Sequence, residues 1–186
     1  MCTTKQHHST SSRRRPRGVT LIEACTVLAI TSVVVGTTVP GMQGLIETRR
    51  LNGAAALLAT DIQYVRTEAV TRNRALRLSV HPSGDGSCYV IHTGAAAQCV
   101  CSDGGPALCS GGAEEIKTVH LRAADKVALQ ANVGSVVFDP LHGTSSPTGT
   151  LRLIAGSGRE IRHVINVMGR VRSCTPLGAV AGYPAC

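Results

Sequence analysis

Aromatic side chains are nearly missing from this chain: its 186 residues include no tryptophan, one phenylalanine and three tyrosines. Tyr64, Tyr89, Phe138 and Tyr183 are too few to build a platform on which nucleic-acid bases stack, so any affinity for such a polymer must come from charge. Catalytic signatures are missing too. No G-x-S-x-G, H-E-x-x-H or Walker pattern occurs, and Gly156-Ser157-Gly158 lacks the third glycine of a dinucleotide fingerprint and reads as a hairpin turn. The seven histidines are scattered, and a lone strand histidine such as His120 or His163 reads as structural or surface-exposed. There is no C-x-x-C pair, and Cys99-x-Cys101 is a poor zinc pattern. These absences argue against an enzyme and give no reason to expect a cofactor or a metal.

Acidic residues are absent from the first 18 positions, where Lys5, Arg13, Arg14, Arg15 and Arg17 supply five positive charges. Such a leader stays on the cytoplasmic side of a membrane. From Val19 to Val39 the only ionisable side chains are Glu23 and Cys25, over a length close to the roughly 20 residues a spanning helix needs. A secretory signal peptide is cut after its apolar run, whereas here the candidate cut, between Gly18 and Val19, lies before it. Glu23 is the anomaly, because a carboxylate in a membrane costs several kcal/mol unless it is paired. Cleavage would create an α-amine at Val19 able to pair with it.

Without the leader, 14 basic residues face 11 acidic ones, and the net charge falls from +8 to +3. Its distribution is uneven. Residues 43–80 carry six basic and three acidic side chains, 81–115 none and four, and 151–186 five and one. The exported part holds six cysteines, an even number that suits disulfides in an oxidising compartment. Cys174 and Cys186 bracket a Pro- and Gly-rich tail and are expected to form one bridge. Cys88, Cys99, Cys101 and Cys109 crowd into one Gly-, Ala- and Ser-rich loop and are expected to form two, by any of three pairings.

Leu45, Leu51, Ala54, Leu58, Ile62, Val65 and Ala69 recur at helical spacing. One helix from Val19 to about Asn73 would be roughly 80 Å long, weakest at Gly36, Pro40, Gly41 and Gly44, where kinking or local melting is expected. Beyond Asn73 the period becomes two, and short strands are predicted around residues 76–80, 89–91, 119–121, 136–138, 151–154 and 161–165. The expected fold class is α+β, with an antiparallel sheet packed on the C-terminal half of the helix. The expected organisation is a leader 1–18, an apolar helix 19–41, and a domain 42–186 made of helix 42–73 and sheet 74–186.

The glycine junction with Glu23, the helix end Asp61-Ile62-Gln63-Tyr64-Val65-Arg66-Thr67-Glu68-Ala69-Val70-Thr71-Arg72-Asn73 and the segment Met168-Gly169-Arg170-Val171-Arg172-Ser173-Cys174 together resemble the FimT/GspH family of type IV minor pilins and type II secretion pseudopilins. The resemblance covers essentially the whole chain after the leader. The cysteine loop stands outside it, Val19 stands where many pilins have phenylalanine, and Cys25 is unusual in an apolar stem.

The resemblance implies a pilin fold, a single pass through the inner membrane and a periplasmic domain. It also implies cutting by a prepilin peptidase after Gly18, N-methylation of Val19, and pairing of Glu23 with the terminal amine of a neighbouring subunit. Other pilins or pseudopilins would be the partners. In FimT-like members associated with natural transformation, a C-terminal Gly-Arg-x-Arg is implicated in binding incoming DNA. The match here is Gly169-Arg170-Val171-Arg172, with Arg159 and Arg162 as candidate extensions of the patch. Such binding would be sequence-independent and directed at phosphates. The alternative is a purely structural subunit of a pilus or a secretion pseudopilus.

Overall fold

The computed structural model describes residues 18–186, and the side chains of residues 37–41 and 177 lie outside that description. Of the expected leader, only Gly18 is among the described residues. The described residues divide into two compact units, on either side of the boundary between Gly41 and Met42.

In the first unit, helix α1 (Leu21–Thr71) starts behind Thr20. The Thr20 carbonyl accepts the Ala24 amide at 3.0 Å, and its hydroxyl oxygen accepts the Glu23 amide at 3.3 Å. Thr20-x-x-Glu23 therefore has capping-box spacing, which places the carboxylate in the first turn at the positive end of the helix dipole. Thr26, Thr31 and Ser32 donate their hydroxyls to carbonyls one turn back, which satisfies these groups without water. The apolar side chains from Val19 to Val35 are exposed within the chain. Among the described residues no helix is long and apolar enough to cross a membrane. The span expected from Val19 to Val39 runs into residues 37–41. Of the kinking or local melting expected around Pro40, melting does not occur, since α1 is helical through these positions. Proline forfeits one donor, and with helix already propagated on both sides that loss does not open a gap.

The second unit is built on the remaining turns of α1. Leu51, Ala55, Leu58, Ile62, Val65 and Ala69 form a buried stripe at alternating spacings of four and three. Leu45 does not join it and is exposed. The helix ends at Asn73, whose φ of 47° is left-handed, while the Arg74 amide reaches back to the Ala69 carbonyl at 3.0 Å, a Schellman closure with asparagine in the glycine role.

Eleven strands follow: β1 (Leu76–Ser83), β2 (Gly86–His92), β3 (Cys99–Val100), β4 (Leu108–Cys109), β5 (Glu115–Arg122), β6 (Val127–Ala131), β7 (Ser135–Phe138), β8 (Ser145–Ser146), β9 (Gly149–Ala155), β10 (Glu160–Ile165) and β11 (Val171–Cys174). All strand pairs are antiparallel, but the expected single sheet is two main ones, ordered β5-β2-β1-β7-β8 and β11-β10-β9-β6, with β3-β4 as a separate pair. Both main sheets contribute inward side chains, such as Leu76, Leu78, Leu151, Leu153 and Ile161, to one core with the helical stripe. Buried Asp61 on α1 fastens the helix to the first sheet, accepting the Tyr89 hydroxyl and the Lys117 ammonium, each at 2.6 Å. Burial first, and then this bond, raise the Tyr89 pKa.

The cysteine loop is closed by Cys88–Cys101 and Cys99–Cys109, and the tail by Cys174–Cys186. The first bridge ties the loop to β2. The second joins facing residues of β3 and β4. With these six sulfurs bonded to one another, none of them is a thiolate for zinc.

Candidate nucleic-acid interface

The second main sheet turns one face to the core and the other outward. Along β10, Ile161, His163 and Ile165 are buried while Arg162 and Val164 face out, the alternation that a pleated strand imposes. Register carries this face across neighbouring strands. Arg172 lies opposite Val164, which lies opposite Thr150. Two pairs further along, and so on the same face, Cys174 lies opposite Arg162, which lies opposite Arg152. Directly opposed residues project to the same side, so Arg152, Arg162 and Arg172 share the outward face. The tail bridge borders it at Cys174.

Arg170 sits just before β11, on the turn from β10. The Asn166 amide donates to the Arg170 carbonyl at 3.1 Å, the Arg170 amide donates to Asn166 Oδ1 at 2.9 Å, and Gly169 has a left-handed φ of 68°. Arg170 and Arg172 are both exposed. Among the described residues, neither guanidinium has a hydrogen bond or ion pair.

The other candidate arginines are engaged. Arg159, on the β9–β10 turn, donates to the Gly44 carbonyl at 3.4 Å and to the Thr48 hydroxyl on α1. It is drawn to the helix and is not brought to the Arg170–Arg172 pair. Arg162 does share the face, but its Nε is 2.6 Å from Glu160 Oε1. The same carboxylate takes Arg152 in a fork, Nε to Oε1 at 2.6 Å and Nη2 to Oε2 at 3.0 Å. The Arg152 bond chiefly, then that of Arg162, hold the Glu160 pKa down to about 2. Sequence reading missed Arg152 and Glu160 as members of this face. The alternation Leu151-Arg152-Leu153 held the signal, since it places the arginine outward whenever the leucines are buried.

Gly169 is buried, and a Cβ there would lie 2.4 Å from the Gly143 carbonyl oxygen and 2.9 Å from Arg66 Cδ. Arg66 Nε donates to that carbonyl at 2.9 Å. The turn carrying Arg170 is thus seated directly on α1. At the other end of the chain, Gly18 and Val19 precede the helix in the open and Glu23 is exposed in its first turn.

The family model for type II transport protein GspH matches residues 54–169, ending one residue before Arg170. Crystal structures of the type IV minor pilin FimU from Pseudomonas aeruginosa PAO1 have a similar fold. One crystal form is 20% identical over 68% of this chain and 92% of that one, with a TM-score of 0.51. A second is 19% identical over 68% and 97%, with a TM-score of 0.49. No curated protein matches the chain.

Proposed function

Since the chain belongs to the GspH family of minor pilins and pseudopilins, we propose that it is a minor pilin that binds DNA through Arg170 and Arg172 and contributes to its uptake. One observation carries the reading. Of the arginines on and beside the second sheet, these two alone are exposed without a carboxylate or carbonyl partner among the described residues, so their guanidinium donors are open to phosphate. The few aromatic residues restrict binding to the backbone and make it sequence-independent.

Before assembly, a prepilin peptidase cuts between Gly18 and Val19. The apolar helix then holds the subunit in the inner membrane with its domain in the periplasm. Glu23 pairs with the terminal amine of a neighbouring pilin as the subunit enters a filament.

The test is binding of unrelated duplexes to the full chain in a non-ionic detergent, with Lys5, Arg13, Arg14, Arg15 and Arg17 changed to Gln in every sample so that the leader carries no charge. R170Q/R172Q should weaken binding to all sequences alike and flatten the salt dependence by about 0.9 log units per decade for each phosphate no longer neutralised. If the folded double variant binds as the parent does, or the parent fails to bind at moderate salt, the structural-subunit reading replaces this one. That reading has its own support, since the family match ends before the arginines.

A further inference from the structure

We infer that the outward face of β9, β10 and β11 extends the Arg170–Arg172 pair into a broader surface for the phosphodiester backbone of DNA, with Arg152 and Arg162 as further phosphate ligands and Glu160 as their built-in competitor. The inference rests on the DNA-binding reading of that pair.

Glu160 occupies the place an external anion would take. Its Oε1 receives the Nε of both arginines and its Oε2 receives Nη2 of Arg152. Two guanidinium edges converging on two oxygens is the geometry by which arginine also holds a phosphodiester. The carboxylate lies deeper than its partners. Its side chain is 11% exposed, against 41% for Arg152 and 36% for Arg162. Nη1 of Arg152 and both Nη atoms of Arg162 have no partner among the described residues, so each arginine is anchored by its inner edge and keeps donors to spare.

The charge balance on this face follows directly. One carboxylate against two guanidinium groups leaves a single positive charge, and with Arg170 and Arg172 the face carries four cations and one anion. Arg172 is one strand across and two residues along from Arg162, about 7–8 Å on a pleated sheet. That is inside the Debye length of roughly 10 Å at 0.1 M salt, so one stretch of backbone passing Arg172 also meets Arg162 and, directly opposite it, Arg152. Glu160 therefore sets how many phosphates the face neutralises.

The experiment adds E160Q and R152Q to the leader-neutral full chain and measures duplex binding across a salt series, with melting temperature as the check on folding. E160Q should bind about fivefold more tightly at 0.1 M salt, with a salt slope steeper by about 0.9. R152Q should bind more weakly with a flatter slope, whatever the DNA sequence. If both bind as the parent does while R170Q/R172Q abolishes binding, the inference falls and the reading of the pair stands. If both move as expected while R170Q/R172Q is silent, the sheet face is the site and the reading of the pair falls. Absence of binding by every protein refutes both. Should E160Q fail to fold, R152Q, which keeps the Glu160–Arg162 bond, decides alone: unchanged binding overturns the inference.

Discussion

Lowering the pH from 7 to 4 should cost the folded domain about 3 kcal/mol through His163 alone. This residue lies on the inner face of β10, fully buried, with Nδ1 2.8 Å from Ser173 Oγ. Its Nε2 is buried without a hydrogen-bond partner among the described residues, although the Ala55 backbone is near enough to oppose the shift slightly. Burial lowers its pKa from 6.5 to about 4.

Between those values the unfolded chain binds a proton that the folded chain refuses. Stability is therefore full above about pH 6.5, falls as the pH drops, and levels off below about 4. His92, buried beside the Ser79 hydroxyl, has its pKa lowered mainly by burial as well and adds a contribution of the same sign. The difference between wild type and H163L isolates the His163 part, since leucine keeps the apolar packing and loses titration. Urea unfolding of both proteins from pH 4 to 7.5, followed by circular dichroism, measures it. A difference that stays constant to within about 0.5 kcal/mol across that range would refute the reasoning, because a buried imidazole of lowered pKa must produce a slope.

Intact mass after coexpression with a prepilin peptidase should correspond to a chain starting at Val19, with or without one methyl group. A product that keeps Arg13 to Arg17, or one cut after the apolar run, would end the prepilin reading. Thiol labelling of the unreduced full chain should find Cys2 and Cys25 and none of the six bridged cysteines. Changing Cys174 and Cys186 together to Ser should cost about 3 kcal/mol from the opened 13-residue loop. D61A should destabilise the domain by about 2 kcal/mol, because it strands the buried Tyr89 hydroxyl, whereas the Lys117 ammonium, 37% exposed, turns to water. K117M should cost much less, and equal losses in the two variants would show that the Tyr89 bond matters little.

Much of the fold was legible because its signals are local and repeated. The helical stripe survives for the most part, with Ala55 buried in place of the half-buried Ala54 and Leu45 outside it, and every strand expected from the period of two occurs, lengthened. What escaped was longer in range. Splitting the strands into two sheets depends on which edges meet, and β3, β4 and β8, of two residues each, are too short to show a period. The three pairings of the loop cysteines were equivalent by spacing, and only the seating of the loop against β2 separates them. In the candidate site, the arginine pair was visible as a motif. Glu160 was not, because its role depends on the register that sets Arg152 opposite Arg162.

The motif Gly169-Arg170-Val171-Arg172 divides into a part the fold requires and a part it does not. Gly169 cannot carry a side chain. Its φ is left-handed, and a Cβ would strike the Gly143 carbonyl, which Arg66 of α1 holds by hydrogen bond. The glycine thus keys the β10–β11 turn to the helix, and the family match extends to it and stops. The arginines that follow touch nothing in the domain that their loss would leave unsatisfied. A subunit with other residues at 170 and 172 would keep the same turn, sheet and helix packing. Fold and family therefore leave open whether a member handles DNA or only builds a filament. The decision rests with the two exposed side chains displayed at 170 and 172, and measurements on Arg170, Arg172 and the face they border are the ones able to make it.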